Sequence, residues 1–323
     1  MKQKLEINYI KKFSMCSHEH FLILKGIAIL MVLVPYILTM FFGISVVNPL
    51  VGVGSVIFLL CSGYGISESL KFKGGTIHYW ENKIIKIWLP SLVALVIGSA
   101  ISHGDLLYWT KEYPLGLSGW FLYVLFANYL VFWAMQWVIE GKKAQLITIF
   151  TISLGASLLL NRAQAEVLLA FPMGMLFSQL QLRDKIRNMA ATGRILLSAI
   201  LAVLAVAGYF LAKAVPEGIP ANLCWMVSKT AMGILVALGV YFLRDIPIFG
   251  VFAPAGAISF GLYLLFKDVL SLVNPQDLLP TLALAVVILI AAASVFTFLR
   301  YLLVDFNKRM RRKRQTHLKG SMW

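Results

Sequence analysis

Few residues of this chain can do chemistry, and most of them stand inside apolar runs. Lys25 lies in Leu24-Lys25-Gly26-Ile27-Ala28-Ile29-Leu30, and Tyr36 follows eleven positions later. At about 100° per residue, eleven steps return to nearly the same helix face with a rise of about 16 Å. Taken alone, Lys25 also reads as a side chain reaching back to the interface. Ser62-Gly63, at the end of Phe58-Leu59-Leu60-Cys61-Ser62-Gly63, lets a helix or a substrate approach the backbone closely. Lys83 and Lys86, three apart and just before Pro90, would share a helical face, where they could hold anionic phosphates or simply anchor the segment at the cytoplasmic surface. Lys267-Asp268 forms a charged pair in a later apolar run, and as neighbours the two do not share a face.

Such groups inside a membrane cost a few kcal/mol on insertion scales, so each is a candidate functional residue. Without partners they would be costly against lipid. Lys25, Tyr36, Ser62, Lys86, Ser259, Tyr263 and Lys267 are therefore expected to converge on one polar cavity.

The elements that must hold these residues are transmembrane helices. Hydrophobic residues make up 60% of the 323 positions and charged residues 13%, which excludes an ordinary soluble domain. A net charge of +15 raises the question of nucleic acid, but Lys and Arg lie in short segments between apolar runs, as membrane orientation requires. Cys16, Cys61 and Cys224 are too few and too scattered for a disulfide framework and are assigned no chemistry. With no small-residue cleavage site near the first apolar run, that helix is expected to be retained.

A run of about 20 apolar residues crosses the hydrocarbon core, and unpaired backbone groups in lipid force it to be helical. Ten runs qualify: 21–42, 46–66, 84–101, 119–139, 145–160, 165–180, 194–212, 222–243, 248–272 and 278–304. The pair 145–160 and 165–180 is short, with only Asn161-Arg162 marking the break, and two spans or a re-entrant hairpin both fit. The expected fold is an all-α integral membrane protein of about ten transmembrane helices, with a cytoplasmic segment 1–20, a single ten-helix domain 21–304 and a basic cytoplasmic tail 305–323. With the N-terminus inside, 21 of the 29 basic residues fall in cytoplasmic segments and only Lys111, Arg162 and Lys213 fall outside, so both termini are expected in the cytoplasm. The tail Asn307-Lys308-Arg309-Met310-Arg311-Arg312-Lys313-Arg314 fits attraction to anionic lipid or a stop-transfer anchor equally.

Taken in order, Lys25-Gly-Ile-Ala, Phe58 to Gly63, the basic pair before Pro90, Trp120-Phe121-Leu122, Phe171-Pro172-Met173-Gly174 and Ile258-Ser259-Phe260-Gly261-Leu262-Tyr263-Leu264-Leu265 resemble acyltransferase family 3 over most of the chain. The resemblance implies a membrane-bound O-acyltransferase in the bacterial cell membrane. It would transfer an acyl group, acetyl above all, from acyl-coenzyme A to a hydroxyl of a sugar, surface polysaccharide or lipid-linked glycan of the cell envelope. It implies Lys25 and Tyr36 as catalytic, Lys83 and Lys86 as donor-binding, and Ser62, Gly63, Trp120, Ser259, Tyr263 and Lys267 as cavity-lining. No tightly bound cofactor, no metal and no nucleic acid is expected; membrane lipid and a carbohydrate acceptor are the expected partners, and the oligomeric state is left open.

Two positions depart from the family pattern. The family places a histidine eleven residues after the basic residue of the first helix, as proton acceptor or acyl relay, where this chain has Tyr36 preceded by Pro35. A phenol with a pKa near 10 is a weak base beside an imidazole, and Pro35 removes a backbone hydrogen bond at that point. The other departure is Phe266, standing where a second histidine follows Tyr263-Leu264-Leu265. The histidines present, His18, His20, His78, His103 and His317, all lie outside the ten runs. The alternatives are a catalytically inactive relative that binds a glycan or lipid, and a transporter or flippase with Glu166, Lys229 and Lys267 as pathway charges.

Overall fold

The computed structural model describes residues 16–73, 79–102, 119–243 and 246–320, and all regular structure among them is helical. The external loop expected over 102–118 lies almost entirely outside these residues, as do His78 and His103.

The first helix, α1 (His18–Phe42), starts where Ser17 accepts a hydrogen bond from the His20 backbone N–H at 3.2 Å. It runs unbroken through Pro35 and stops at Gly43, whose φ of 68° belongs to the left-handed region that glycine tolerates. Next come α2 (Pro49–Lys73) and α3 (Tyr79–Lys83), then a π-turn over Ile84–Trp88 that leads straight into α4 (Leu89–Ser102). They are followed by α5 (Trp120–Val138), α6 (Lys142–Ala156), α7 (Arg162–Ala165), α8 (Ala170–Gln179), α9 (Leu182–Arg187), α10 (Ala191–Ala214) and α11 (Ile219–Phe242). The last two are α12 (Phe252–Leu270) and α13 (Leu278–Gly320).

Seven helices among the described residues are long and apolar enough to cross a membrane: α1, α2, α5, α10, α11, α12 with its preceding turn, and α13. The runs 84–101, 145–160 and 165–180 form shorter helical pieces. Asn161 breaks the chain between the last two by capping α7, its side chain accepting from the Gln164 N–H at 3.1 Å. At the C-terminal end the expected tail continues α13 as helix, with Arg309 and Asp305 paired one turn apart at 2.8 Å. His20 likewise lies within α1, not before it as expected from the sequence.

Two compact units divide the chain: residues 1–74 with 120–257, and residues 75–119 with 258–323. In the first, α2 lies at the centre, packed on α1, α8 and α11, while α10 packs along α11. One apolar cluster joins Leu24 and Ala28 of α1 to Ile57 and Cys61 of α2 and Val240 of α11.

Glycines set how closely these helices approach. A side chain at Gly26 would run into the backbone of Phe252, and one at Gly256 into that of Leu22. Side chains at Gly63 and Gly174 would likewise strike the backbones of Phe171 and Leu60. Because lipid is as apolar as leucine, helices in a bilayer are held largely by such close packing of small residues. In the second unit the π-turn packs on α13.

Candidate functional site

Three helices of the first unit bring polar side chains together beside these glycine contacts. Lys25 of α1 is half-buried and acts electrostatically on both Cys61 of α2 and Tyr129 of α5. The Tyr129 hydroxyl hydrogen-bonds the Ser62 hydroxyl of α2. Tyr129 is 4% exposed, and its ring stands edge-on to Phe171 at 5.8 Å. No carboxylate pairs with Lys25 among the described residues. Lys25 thus acts through a low-dielectric interior on a hydroxyl that is itself bonded to Ser62, a setting in which a cation favours an oxygen on which negative charge develops.

Tyr129 has no place among the residues singled out from the sequence. Its signal there is the pair Asn128-Tyr129 in the middle of an otherwise apolar helix, since Asn128 spends its side-chain N–H on the Val124 carbonyl at 2.8 Å. Gly63, one of the expected cavity-lining residues, is instead buried against Phe171, so two motifs of the family pattern serve as each other's packing surface. Tyr36 is half-buried on α1, about three helical turns from Lys25. Trp120 opens α5, edge-on to Phe121 at 6.1 Å.

The remaining expected site residues belong to the second unit. Ser259 is buried, Tyr263 half-buried, and Lys267 exposed; the Tyr263 hydroxyl closes over Gly119, 3.3 Å from where a Cβ would sit. Asp268 lies against Gly98. Lys83 is half-buried with its ammonium 5.7 Å from the Tyr79 ring, whereas Lys86, within the π-turn, is exposed. A π-turn advances each residue by less than an α-helical step, so the two lysines are turned further from a shared face than the sequence spacing implies. Burial pushes the Lys83 ammonium down to about 7.

The family model described as an acyltransferase domain matches residues 21–301, a stretch that takes in both units. The chain belongs to acyltransferase family 3. No curated protein and no solved structure matches it. This is therefore a membrane acyltransferase domain, and a multi-pass membrane protein by its apolar helices.

Two buried polar groups of this acyltransferase domain are held by local partners. His20, 1% exposed, accepts from the Cys16 N–H at Nδ1 and meets the Ala237 carbonyl at Nε2, both at 3.1 Å. Accepting at one nitrogen and donating at the other makes the ring a neutral imidazole that pins α1 to α11. Burial pushes the Cys16 thiol up to about 12, in keeping with a thiol that takes no part in chemistry. Lys229, 4% exposed, donates to the Pro49 carbonyl and lies over Gly52 together with Glu166.

Proposed function

We propose that this chain transfers an acyl group, acetyl above all, from acyl-coenzyme A to a hydroxyl of a sugar, surface polysaccharide or lipid-linked glycan. The electrostatic action of Lys25 on Tyr129, whose hydroxyl bonds Ser62, in a chain of this family, is the observation that supports the reading. With both termini in the bacterial cytoplasm, the donor enters at the end of the bundle where α1 begins. Lys83 and Lys86 of the second unit attract its phosphates.

In the reaction, the acceptor oxygen attacks the thioester carbonyl, its proton leaves to a base, and the carbon–sulfur bond breaks to release coenzyme A. Lys25 stabilises the oxygen that becomes negative as the tetrahedral intermediate forms. Tyr129 holds the second hydroxyl of the pair in register with Ser62. Tyr36 occupies the proton-acceptor position of the family, where a phenol works against its high pKa.

The test is transfer of labelled acetyl from acetyl-coenzyme A by the purified full chain in proteoliposomes supplied with mixed envelope glycans. Tyr36→His should raise the rate by at least tenfold, because general-base assistance is greatest when the pKa lies near the working pH and is worth roughly two to four powers of ten. If wild type, Tyr36→His and Tyr36→His with Pro35→Ala all bind no acyl-coenzyme A and consume none, the transferase reading gives way to a non-catalytic binding protein.

A further inference from the structure

At the end of the first unit where α1 turns into α2, the chain forms an open polar cavity, its charged side chains exposed, that none of the family motifs touches. The connections α1 to α2, α6 to α7 and α10 to α11 meet there around a cavity of about 600 Å³, lined by Asn161, Arg162, Tyr209, Lys213, Glu217 and Asn222 among others. That volume lies in the range of small-molecule sites, roughly 300–1,000 Å³, and is far larger than one ion requires.

The two cations of this cavity are held by aromatic rings. Arg162 stacks its guanidinium 4.3 Å from the centre of Trp225, and Lys213 places its ammonium 4.7 Å from the centre of Tyr209. Tyr209 and Trp225 meet edge to face at 5.3 Å, and Trp225 is 3% exposed, so the platform beneath Arg162 is fixed. Among the described residues neither cation forms an ion pair with a carboxylate; Arg162 acts electrostatically on Glu166, whose stronger partner is Lys229. Ring contacts position a guanidinium without consuming its N–H donors, which stay able to bond a carboxylate or phosphate.

The other walls favour hydroxyl groups. Asn161 gives its side-chain oxygen to the cap of α7, which leaves its amide N–H groups for a ligand, and Asn222 adds a second amide. Glu217 puts one negative charge into the same space, so the site suits a ligand of single negative charge with hydroxyls to donate. A polyanionic phosphate would meet that carboxylate unfavourably.

We infer that this cavity binds an acidic saccharide, with its carboxylate on Arg162 and Lys213 and its hydroxyls on Asn161, Asn222 and Glu217. For the ligand's later fate as acyl acceptor the inference rests on the transferase reading. Binding itself does not, so the test uses no acyl donor.

The full chain in lipid nanodiscs is titrated with a glucuronic-acid-containing disaccharide, with the methyl ester of that disaccharide, and with inorganic phosphate. The acid should bind at least about tenfold more tightly than the ester, in line with the loss of one charged hydrogen-bonding pair. Arg162→Gln and Lys213→Gln should each weaken the acid by about tenfold, and Lys213→Arg should restore it. A thermal melt of each variant separates loss of the site from loss of the fold, and Lys213, exposed at the rim, serves where Arg162→Gln fails to fold. Equal binding of acid and ester, or an unchanged affinity in Lys213→Gln, overturns the inference. Phosphate displacing the disaccharide at equal concentration overturns its saccharide part. Saccharide binding here by a chain that fails the labelled-acetyl transfer test above leaves the inference standing and removes the transferase reading alone.

Discussion

Around Gly26, Gly63, Gly174 and Gly256 the backbones of neighbouring helices touch, whereas around Arg162 and Lys213 the same unit opens a cavity of about 600 Å³. The closed region is rich in the family's motif residues and the open one has none of them. Motif glycines are there because a bilayer offers no hydrophobic drive between helices, so close backbone approach has to hold them together. The polar cavity needs no motif, since loops at the end of a bundle can bring together charges from distant parts of the chain. Lys25 sits between these extremes, a cation beside the glycine contacts that acts electrostatically on Tyr129.

The largest effect that would test the contrast is at the glycines. Gly26→Val and Gly256→Val place carbon on backbone atoms that cannot swing aside, so each should cost at least the 1–3 kcal/mol typical of overpacking and the double variant should yield no folded monomer. Gly239→Ala in α11, with nothing within 4 Å of its Cβ position, should change stability by no more than about 1 kcal/mol. Melting temperatures in detergent measure both, and equal losses at closed and open glycines would break the packing account.

Second in size is Lys25→Ala. The folded variant should transfer acetyl about a hundredfold more slowly, the scale on which loss of one oxyanion donor is felt. A rate within threefold of wild type would make Lys25 a packing or interface residue, like the glycines beside it.

Tyr129→Phe tests the same cluster more finely. Removing one hydroxyl from the Ser62 pair should cost about tenfold in transfer, the value of a single hydrogen bond, with an unchanged melting temperature within a degree or two. A stability loss with normal turnover would assign the pair to the fold instead.

The smallest effect is a pH dependence at Lys83. Burial holds its ammonium down at about 7, so the charged form that attracts donor phosphate predominates below that pH and is lost above it. The KM for acetyl-coenzyme A should therefore rise severalfold between pH 6 and pH 8, and Lys83→Arg should flatten the profile. A flat wild-type profile would remove Lys83 from donor binding.

Much of the helical framework was legible in the residues themselves, because a run of about 20 apolar residues has one low-energy form in lipid. The runs beginning near 21, 46, 119, 194, 222, 248 and 278 became helices long enough to span a membrane. The runs 145–160 and 165–180 became shorter helices because Asn161 caps a new one between them. As a polar residue, His20 interrupts the apolar pattern and reads as lying outside α1, yet its two hydrogen bonds make it part of the buried interior.

By itself the sequence determined a membrane protein of family type, the apolar helices and the polar residues worth testing: composition and period are properties of each segment alone. Only the tertiary structure decided that Tyr129 bonds Ser62 within the electrostatic reach of Lys25, that Gly63 is spent on Phe171, and that Arg162 and Lys213 share a cavity with Trp225 behind them. Those pairings join residues tens to over a hundred positions apart. Their partners are chosen by how helices pack, and helix periodicity holds no record of that choice.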